Sequence, residues 1–465
     1  MKFTSDIVIG LEIHVEIDTK TKLFCGCPTS GSDEPNSRTC EVCLGMPGSK
    51  PVTNKKAIEY ALRLCLALGC KISDELIFSR KSYFYPDMAK NYQITQYEIP
   101  LGSKGKLKLK DGKVINITRA HMEEDPASLV HPAGMRDSTY VLVDYNRSGN
   151  PLLEIVTEPD MTSPSEAREF MKQLIKVLSY IGIFDENNGI IKADANISVK
   201  ESGYIRTEVK NITGFKEIER ALNFEIDRQR QEKVVQETRA WDSSTGVTFS
   251  LRTKETEEDY GYIIDPDLTA ITITKDMINE AKQSLPELAH DKISKFMEKH
   301  KLKKEDAEII SAEKELAELF ERVAEEVDPI LAAKWLRREL VRVLNYGKKA
   351  LKDIELDEKN LIILLKLIET KKITDTVGQK LMEKLIEGSF DVEQHVKKEG
   401  LIAVSDTKEI EKFCKEAIEE NKKAIEDFKS GNEKALNFVV GSVMRKTKGK
   451  ATPAEVNKIL KKLIS

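Results

Sequence analysis

The chain has 465 residues, 40% of them apolar and 33% charged, too long for one compact domain and fitting a soluble globular protein of roughly two to four domains with surplus surface charge. No run of eighteen apolar residues occurs, and the first segment, MKFTSDIVIGLEIH, alternates like a strand instead of forming a signal-peptide core, so a cytoplasmic protein with no membrane span is expected. The net charge of −4 hides a polarity: residues 1–290 hold 37 Lys+Arg against 44 Asp+Glu, and residues 291–465 hold 37 against 34, so any nucleic-acid contact is expected towards the C-terminus.

The opening strand, GLEIHVEID, sends Leu11, Ile13 and Val15 to one face and Glu12, His14 and Glu16 to the other. Four of the seven cysteines follow as CGC (Cys25, Cys27) and CEVC (Cys40, Cys43) around a Gly/Ser/Pro/Asn-rich loop. Two close pairs can wrap one tetrahedral zinc with no open position, a structural staple; the alternative is free thiols. A helix, NKKAIEYALRLCLALGC, comes next, then the polar-aromatic stretch KSYFYPDMAKNYQITQYEIPLG. That stretch reads either as a surface loop or as a substrate-facing rim with Lys81 offered to phosphate. In HMEED, Glu123, Glu124 and Asp125 repel one another, a conflict that a divalent cation or basic partners relieve.

Further strands, PLLEIVTE, DANISVK, YIRTEVK and TGVTFSLR, alternate with the helices SEAREFMKQLIKVLSYIG, which Ser165 is placed to cap, and GFKEIERALNFEIDRQRQEKV. DANISVK puts Asp194, Asn196, Ser198 and Lys200 on one face; IRTEVKN does the same for Arg206, Glu208 and Lys210. The plain reading is a sheet wetted on one side. The short, mixed-sign side chains point instead to magnesium and phosphate, with lysines balancing the phosphate charge. No GxxxxGK[ST] or GxGxxG occurs, so such a site is not a glycine-rich phosphate loop. Strand signals stop after SLPELAHD, and Lys/Glu/Leu-rich helices follow. The fold class is therefore α+β: a β-rich, mainly antiparallel-sheet domain over 1–288, a helical domain over 289–404, and a small helical tail over 405–465.

The runs GLEIHVEIDTKTKLFCGCP, KSYFYPDMAKNYQITQYEIPLG, HMEED, DYNRSGNPLLEIVTEPD, DANISVK, EVKNITGF and NFVVGSVMRKTKGKATP occur in the order found in the B subunits of the tRNA-dependent aspartyl/glutamyl amidotransferases, which the chain resembles from residue 7 to its end. The resemblance implies a sheet "cradle" and a YqeY-like tail. It also implies ATP-dependent phosphorylation of the side-chain carboxyl of Asp-tRNA(Asn) or Glu-tRNA(Gln). Ammonia from the amidase (A) subunit then displaces the phosphate, within a heterotrimer completed by the small (C) subunit. Glu12, His14, Glu124 and Glu208 would be magnesium ligands or their shell. Lys81, Asp194, Asn196, Ser198 and Lys210 would contact phosphate and acyl groups, with Lys81, Ser198 and Lys210 towards ATP. In the tail, Arg445, Lys446, Lys448 and Lys450 would grip tRNA. The chain departs from the family pattern at Ser128, in IIKADAN, and at Gly261 and Ile263-Ile264. A sister protein serving glutamyl-tRNA alone would need an inserted domain for which there is no room. The other readings are a non-catalytic tRNA-binding scaffold and a stand-alone zinc-dependent nucleic-acid binder, the latter opposed by the acidic sheet domain.

Overall fold

In a computed structural model of the chain, the alternation of IVIGLEIHVE becomes the ten-residue strand Ile7–Glu16, with Leu11, Ile13 and Val15 buried and Glu12, His14 and Glu16 partly exposed on the opposite face. The structure describes residues 5–134, 138–185, 189–252, 260–403, 407–430, 432, 434–447 and 449–464. They fall into two units, Met1–Leu288 and Ala289–Ser465.

In the first unit, Ile7–Glu16 is the middle strand of a nine-stranded sheet. On one side of it lie Ile191–Val199, Thr207–Thr213, Glu237–Asp242 and Val247–Arg252. On the other lie Pro151–Thr157, Val114–Glu124, Gly102–Lys108 and Lys71–Ile72. Neighbours run antiparallel except Thr207–Thr213 and Glu237–Asp242. That parallel pair needs a crossover, which the helix Phe215–Gln231 supplies. Gly214, at φ 88°, turns the chain from strand into this helix in a conformation that favours glycine.

Three helices, Lys55–Ala67, Pro164–Tyr180 and Phe215–Gln231, bring Ala61, Phe170, Leu174 and Leu222 into one core with Ile13, Ile155 and Ile197. Each large side chain buried there contributes ~1.5–3 kcal/mol. The apolar side of the sheet is thereby committed to packing, and the polar side is left for chemistry. The cap expected from Ser165 is made by Ser163, whose Oγ accepts from the Glu166 N–H at 3.3 Å. Pro164, lacking an N–H, takes the first helical position and sets the cap one residue before it. A separate three-stranded sheet orders Gly261–Ile264, Ser79–Ser82 and Tyr92–Thr95, which places Lys81 opposite Tyr262 and Gln93.

The described part of the second unit is helical. Phe296, Phe320, Trp335 and Leu364 belong to one apolar cluster, and Ile410, Cys414, Val439 and Leu460 to another. No helix among the described residues is long and apolar enough to cross a membrane.

Candidate active site

Register builds the polar centre of the first unit. His14 pairs with Glu154, and Glu154 pairs with His121, so the three stand in a row across three adjacent strands. Alternation adds Glu12 beside His14 and Glu123 beside His121. His14 Nε2 lies 3.3 Å from Glu123 Oε1, 3.5 Å from Glu154 Oε2 and 3.8 Å from Glu12 Oε1. His121 Nε2 is 3.7 Å from Glu154 Oε2, and Arg119 donates to Glu154 Oε1 at 3.4 Å. Glu12, His14 and Glu154 can offer ligand atoms within 4.8 Å of one another, and so can His121, Glu123 and Glu154.

Burial and mutual repulsion shape the charges. Burial, with Glu154 nearby, pushes the Glu12 carboxyl up to about 7. Burial pushes Glu123 up to about 8, against the pull of His14. For His14, burial opposes protonation, but the facing Glu154, Glu123 and Glu12 lift its pKa to about 10. His121 is driven down to about 4 by burial and is neutral at pH 7. Burial also disfavours an ionised Glu154, yet His121, His14 and Arg119 hold it below the usual carboxylate range. The cluster is thus short of positive charge. Its hard oxygen donors and crowded carboxylates fit a divalent cation, with Glu12, Glu154 and Glu123 as the ligands of choice.

This cluster lines a cavity of about 630 Å³, and Lys81, Lys192, Asp194 and Lys210 border it too. Lys210 Nζ is 3.2 Å from both Asp194 Oδ2 and Glu208 Oε1. Burial works against its ammonium, but Asp194, Glu208 and Glu12 outweigh that and raise its pKa. Lys81 Nζ sits 4.7 Å from the centre of the Tyr260 ring. A smaller space of about 190 Å³ shares Glu12, Lys81, Glu154 and Lys210, and it adds Glu208 and His121.

Of the residues picked out from sequence, Glu12, His14, Lys81, Asp194 and Lys210 line the larger cavity, and Glu208 lines the smaller one. Asn196 and Ser198 continue the same strand beyond Asp194 but line neither space; Asn196 pairs with Gly10, and Ser198 is buried opposite Val8. Glu124 lines neither space. Its carboxylate is buried against Lys90 and accepts from the Ile94 N–H at 2.8 Å. By alternation it shares the face of Met122, a core residue, whereas Glu123 joins the acid–histidine cluster around His14. Sequence reasoning missed Glu154 and His121 as members of the cluster. Glu154, set among the apolar residues of PLLEIVT, and the first residue of HMEED were the available signals.

The cysteine quartet lies apart from this cavity. Sulfurs of Cys25, Cys27, Cys40 and Cys43 all fall within 4.8 Å of one another. The Cys40 and Cys43 sulfurs are 3.9 Å apart, against the ~3.8 Å between two thiolates on a tetrahedral zinc with Zn–S of about 2.3 Å. Cys43 is held down to about 5, chiefly by a hydrogen bond from the Cys25 thiol, with the Cys40 N–H and Lys22 adding to it against burial. Lys22 is fully buried, its Nζ 3.8 Å from Cys43 Sγ and 3.2 Å from the Tyr145 carbonyl. The donor set fits zinc.

In the second unit, Lys446 is paired with Glu416 at 3.3 Å and Glu420 at 2.6 Å. Arg445 lines a groove of about 560 Å³ together with Lys380, Lys384 and His395. Lys450 is partly buried, and Lys448 lies outside the described residues.

Two family models match the chain, a GatB/GatE catalytic domain over residues 7–279 and a GatB domain over residues 318–464. Among similar curated proteins, the B subunit of the aspartyl/glutamyl-tRNA(Asn/Gln) amidotransferase of Carboxydothermus hydrogenoformans is 41% identical, covering 98% of both chains. Those of Thermodesulfovibrio yellowstonii and Thermotoga maritima are each 42% identical, covering 99% and 98% of both chains respectively. The matches span the sheet with its acid–histidine row and the helical unit with its basic groove, and the chain belongs to the GatB/GatE family of amidotransferase B subunits.

Proposed function

We propose that the chain is the ATP-dependent component that converts Asp-tRNA(Asn) or Glu-tRNA(Gln) to its amide. A side-chain carboxylate oxygen attacks the γ-phosphorus of ATP, forming an acyl phosphate and releasing ADP. Ammonia then attacks the acyl carbon and inorganic phosphate leaves. The carboxylate alone is a poor acyl donor, and phosphorylation supplies the leaving group.

The observation that carries this reading is the opposition, within one cavity, of the Glu12–His14–Glu123–Glu154 cluster to Lys81 and Lys210. Phosphoryl transfer requires positioning and charge stabilisation more than covalent help from the protein. Magnesium held by Glu12, Glu154 and Glu123 would neutralise phosphate oxygens as a Lewis acid. His14, protonated at neutral pH, orients Glu154 and Glu123. Lys210, fixed between Asp194 and Glu208, and Lys81, against Tyr260, bring ammonium groups to the phosphate or to the developing acyl oxygen.

The proposed complex is a heterotrimer, in which an amidase (A) subunit releases ammonia from glutamine and a small (C) subunit is the third member. The cysteine quartet is read as a structural zinc site. Residues 405–465 are read as a tail that works with the 289–404 helices to hold tRNA, through Arg445 and Lys450 in particular. The test is ADP and amide formation by the reconstituted complex from ATP, glutamine and misacylated tRNA. Wild-type complex that amidates without consuming ATP refutes the reading.

A further inference from the structure

The strand Ser79–Ser82 carries Lys81 into the cavity and releases the chain at the cavity mouth as Tyr83, Phe84 and Tyr85. Tyr83 packs edge-on against Tyr260, with ring centres 6.4 Å apart. Phe84 does the opposite. It is 89% exposed, the most exposed ring on this cavity, and it makes no ring contact among the described residues; Tyr85 beside it is 53% exposed.

Exposed rings scattered singly over a surface are ordinary, but Phe84 and Tyr85 are consecutive exposed rings that both line a charged cavity, an apolar surface open to a ligand that enters it. The neighbours define which kind. Phe84 lies three residues from Lys81, a span of at most ~10 Å along extended chain. A ligand lying on the ring therefore reaches the ammonium and the acid cluster behind it. Such a ligand needs a flat apolar end and an anionic end, which describes a nucleotide. Aromatic faces accept any nucleobase by stacking, with no hydrogen-bond code required.

We propose that Phe84, with Tyr85 beside it, is a stacking platform for the adenine of a nucleotide whose phosphates point towards Lys81. This inference rests on the ATP-dependent reading above. Adenine can reach the platform from ATP or from the terminal adenosine of an aminoacylated tRNA, and the two sources separate experimentally.

The experiment uses the reconstituted complex with Phe84→Ala, Phe84→Leu and Phe84→Tyr. KM is measured separately for ATP and for misacylated tRNA, alongside inhibition by tripolyphosphate, which carries phosphates and no base. With ATP as the source, Phe84→Ala raises the KM for ATP roughly tenfold, changes kcat little at saturation, and leaves tripolyphosphate inhibition unchanged. Phe84→Leu, apolar but not aromatic, falls short of wild type, and Phe84→Tyr restores it. A rise confined to the KM for tRNA keeps the platform and assigns its base to the tRNA end. Unchanged KM values for both substrates overturn the proposal. So does loss of complex assembly on gel filtration with normal melting of the variant chain, because the ring then belongs to an interface within the complex. Wild-type complex that consumes no ATP is a different failure, that of the functional reading itself, and it overturns the platform with it.

Discussion

His14 and Glu154 face each other across adjacent antiparallel strands, with Nε2 3.5 Å from Oε2, and the same carboxylate is flanked on its other side by His121. Among the described residues, Glu154 is thus shared by the Glu12–His14–Glu154 and His121–Glu123–Glu154 groups, which could each hold a cation. Glu154→Gln keeps the shape and removes the charge that both histidines oppose. We expect acyl-phosphate formation to fall by about 100-fold or more, with ammonia release by the amidase retained. Glu124→Gln is the contrast. It strands the buried Lys90 ammonium, so it should lower stability by ~3–5 kcal/mol while turnover per folded molecule stays near wild type. Melting curves and single-turnover assays on the two variants separate the roles.

The cluster also sets a pH dependence for the cation-free chain. Glu12 at about 7, Glu123 at about 8 and His14 at about 10 all lie above their ordinary values. The folded state therefore holds more protons than the unfolded state at these three sites between pH 6.5 and 8, and stability falls as pH rises through that window. His121, depressed to about 4, works in the opposite direction mainly below about pH 7, and the low Glu154 pKa contributes stability that is lost only under acid conditions. Thermal unfolding in chelator should show a melting temperature that declines from pH 6.5 to 8. Magnesium should remove most of that decline by replacing the protons. A melting temperature flat or rising over this range in chelator contradicts the assignment.

The polar face of the opening strand was legible because Glu12, His14 and Glu16 alternate with residues that must be buried. Glu154 was not, since its face neighbours Leu152 and Val156 are apolar and an isolated acid in such a run reads as solvated. Only the register between Pro151–Thr157 and its two neighbours gives it a role. The opposite placement of Glu123 and Glu124 has the same origin: adjacent acids occupy opposite faces, and Glu124 shares the face of Ala120 and Met122, which pack in the core. The mainly antiparallel sheet followed from short strands punctuated by turn residues. Its one parallel pair depends on the path of a crossover helix, which strand patterns do not encode.

The cysteine quartet predicts one zinc per chain by elemental analysis. Four thiolates on a dication carry surplus negative charge, and the buried Lys22 ammonium, 3.8 Å from Cys43, offsets part of it. Cys40→Ser should lose the metal and lower the melting temperature by on the order of 10 °C. Lys22→Met should retain zinc but release it faster to a chelator. Native protein without zinc, with all four thiols freely alkylated, would sink this assignment.

The C-terminal basic residues are not equivalent, and this makes their role testable one at a time. Lys446 is satisfied within the unit by Glu416 and Glu420, whereas Arg445 opens onto the groove shared with Lys380, Lys384 and His395. If that groove holds RNA phosphate, each contributing cation releases condensed counterions on binding and adds to the salt dependence. Arg445→Ala and Lys384→Ala should each weaken tRNA binding at all sequences and reduce the slope of log affinity against log salt by about one. Lys446→Ala should change that slope less, because RNA would first have to displace two carboxylates. The double variant Arg445→Ala/Lys384→Ala should raise the KM for misacylated tRNA while leaving the KM for ATP unchanged, since it leaves the sheet cavity intact. Equal slopes for wild type and the double variant across a salt titration would show that the groove is only a solvated face and that tRNA is held elsewhere.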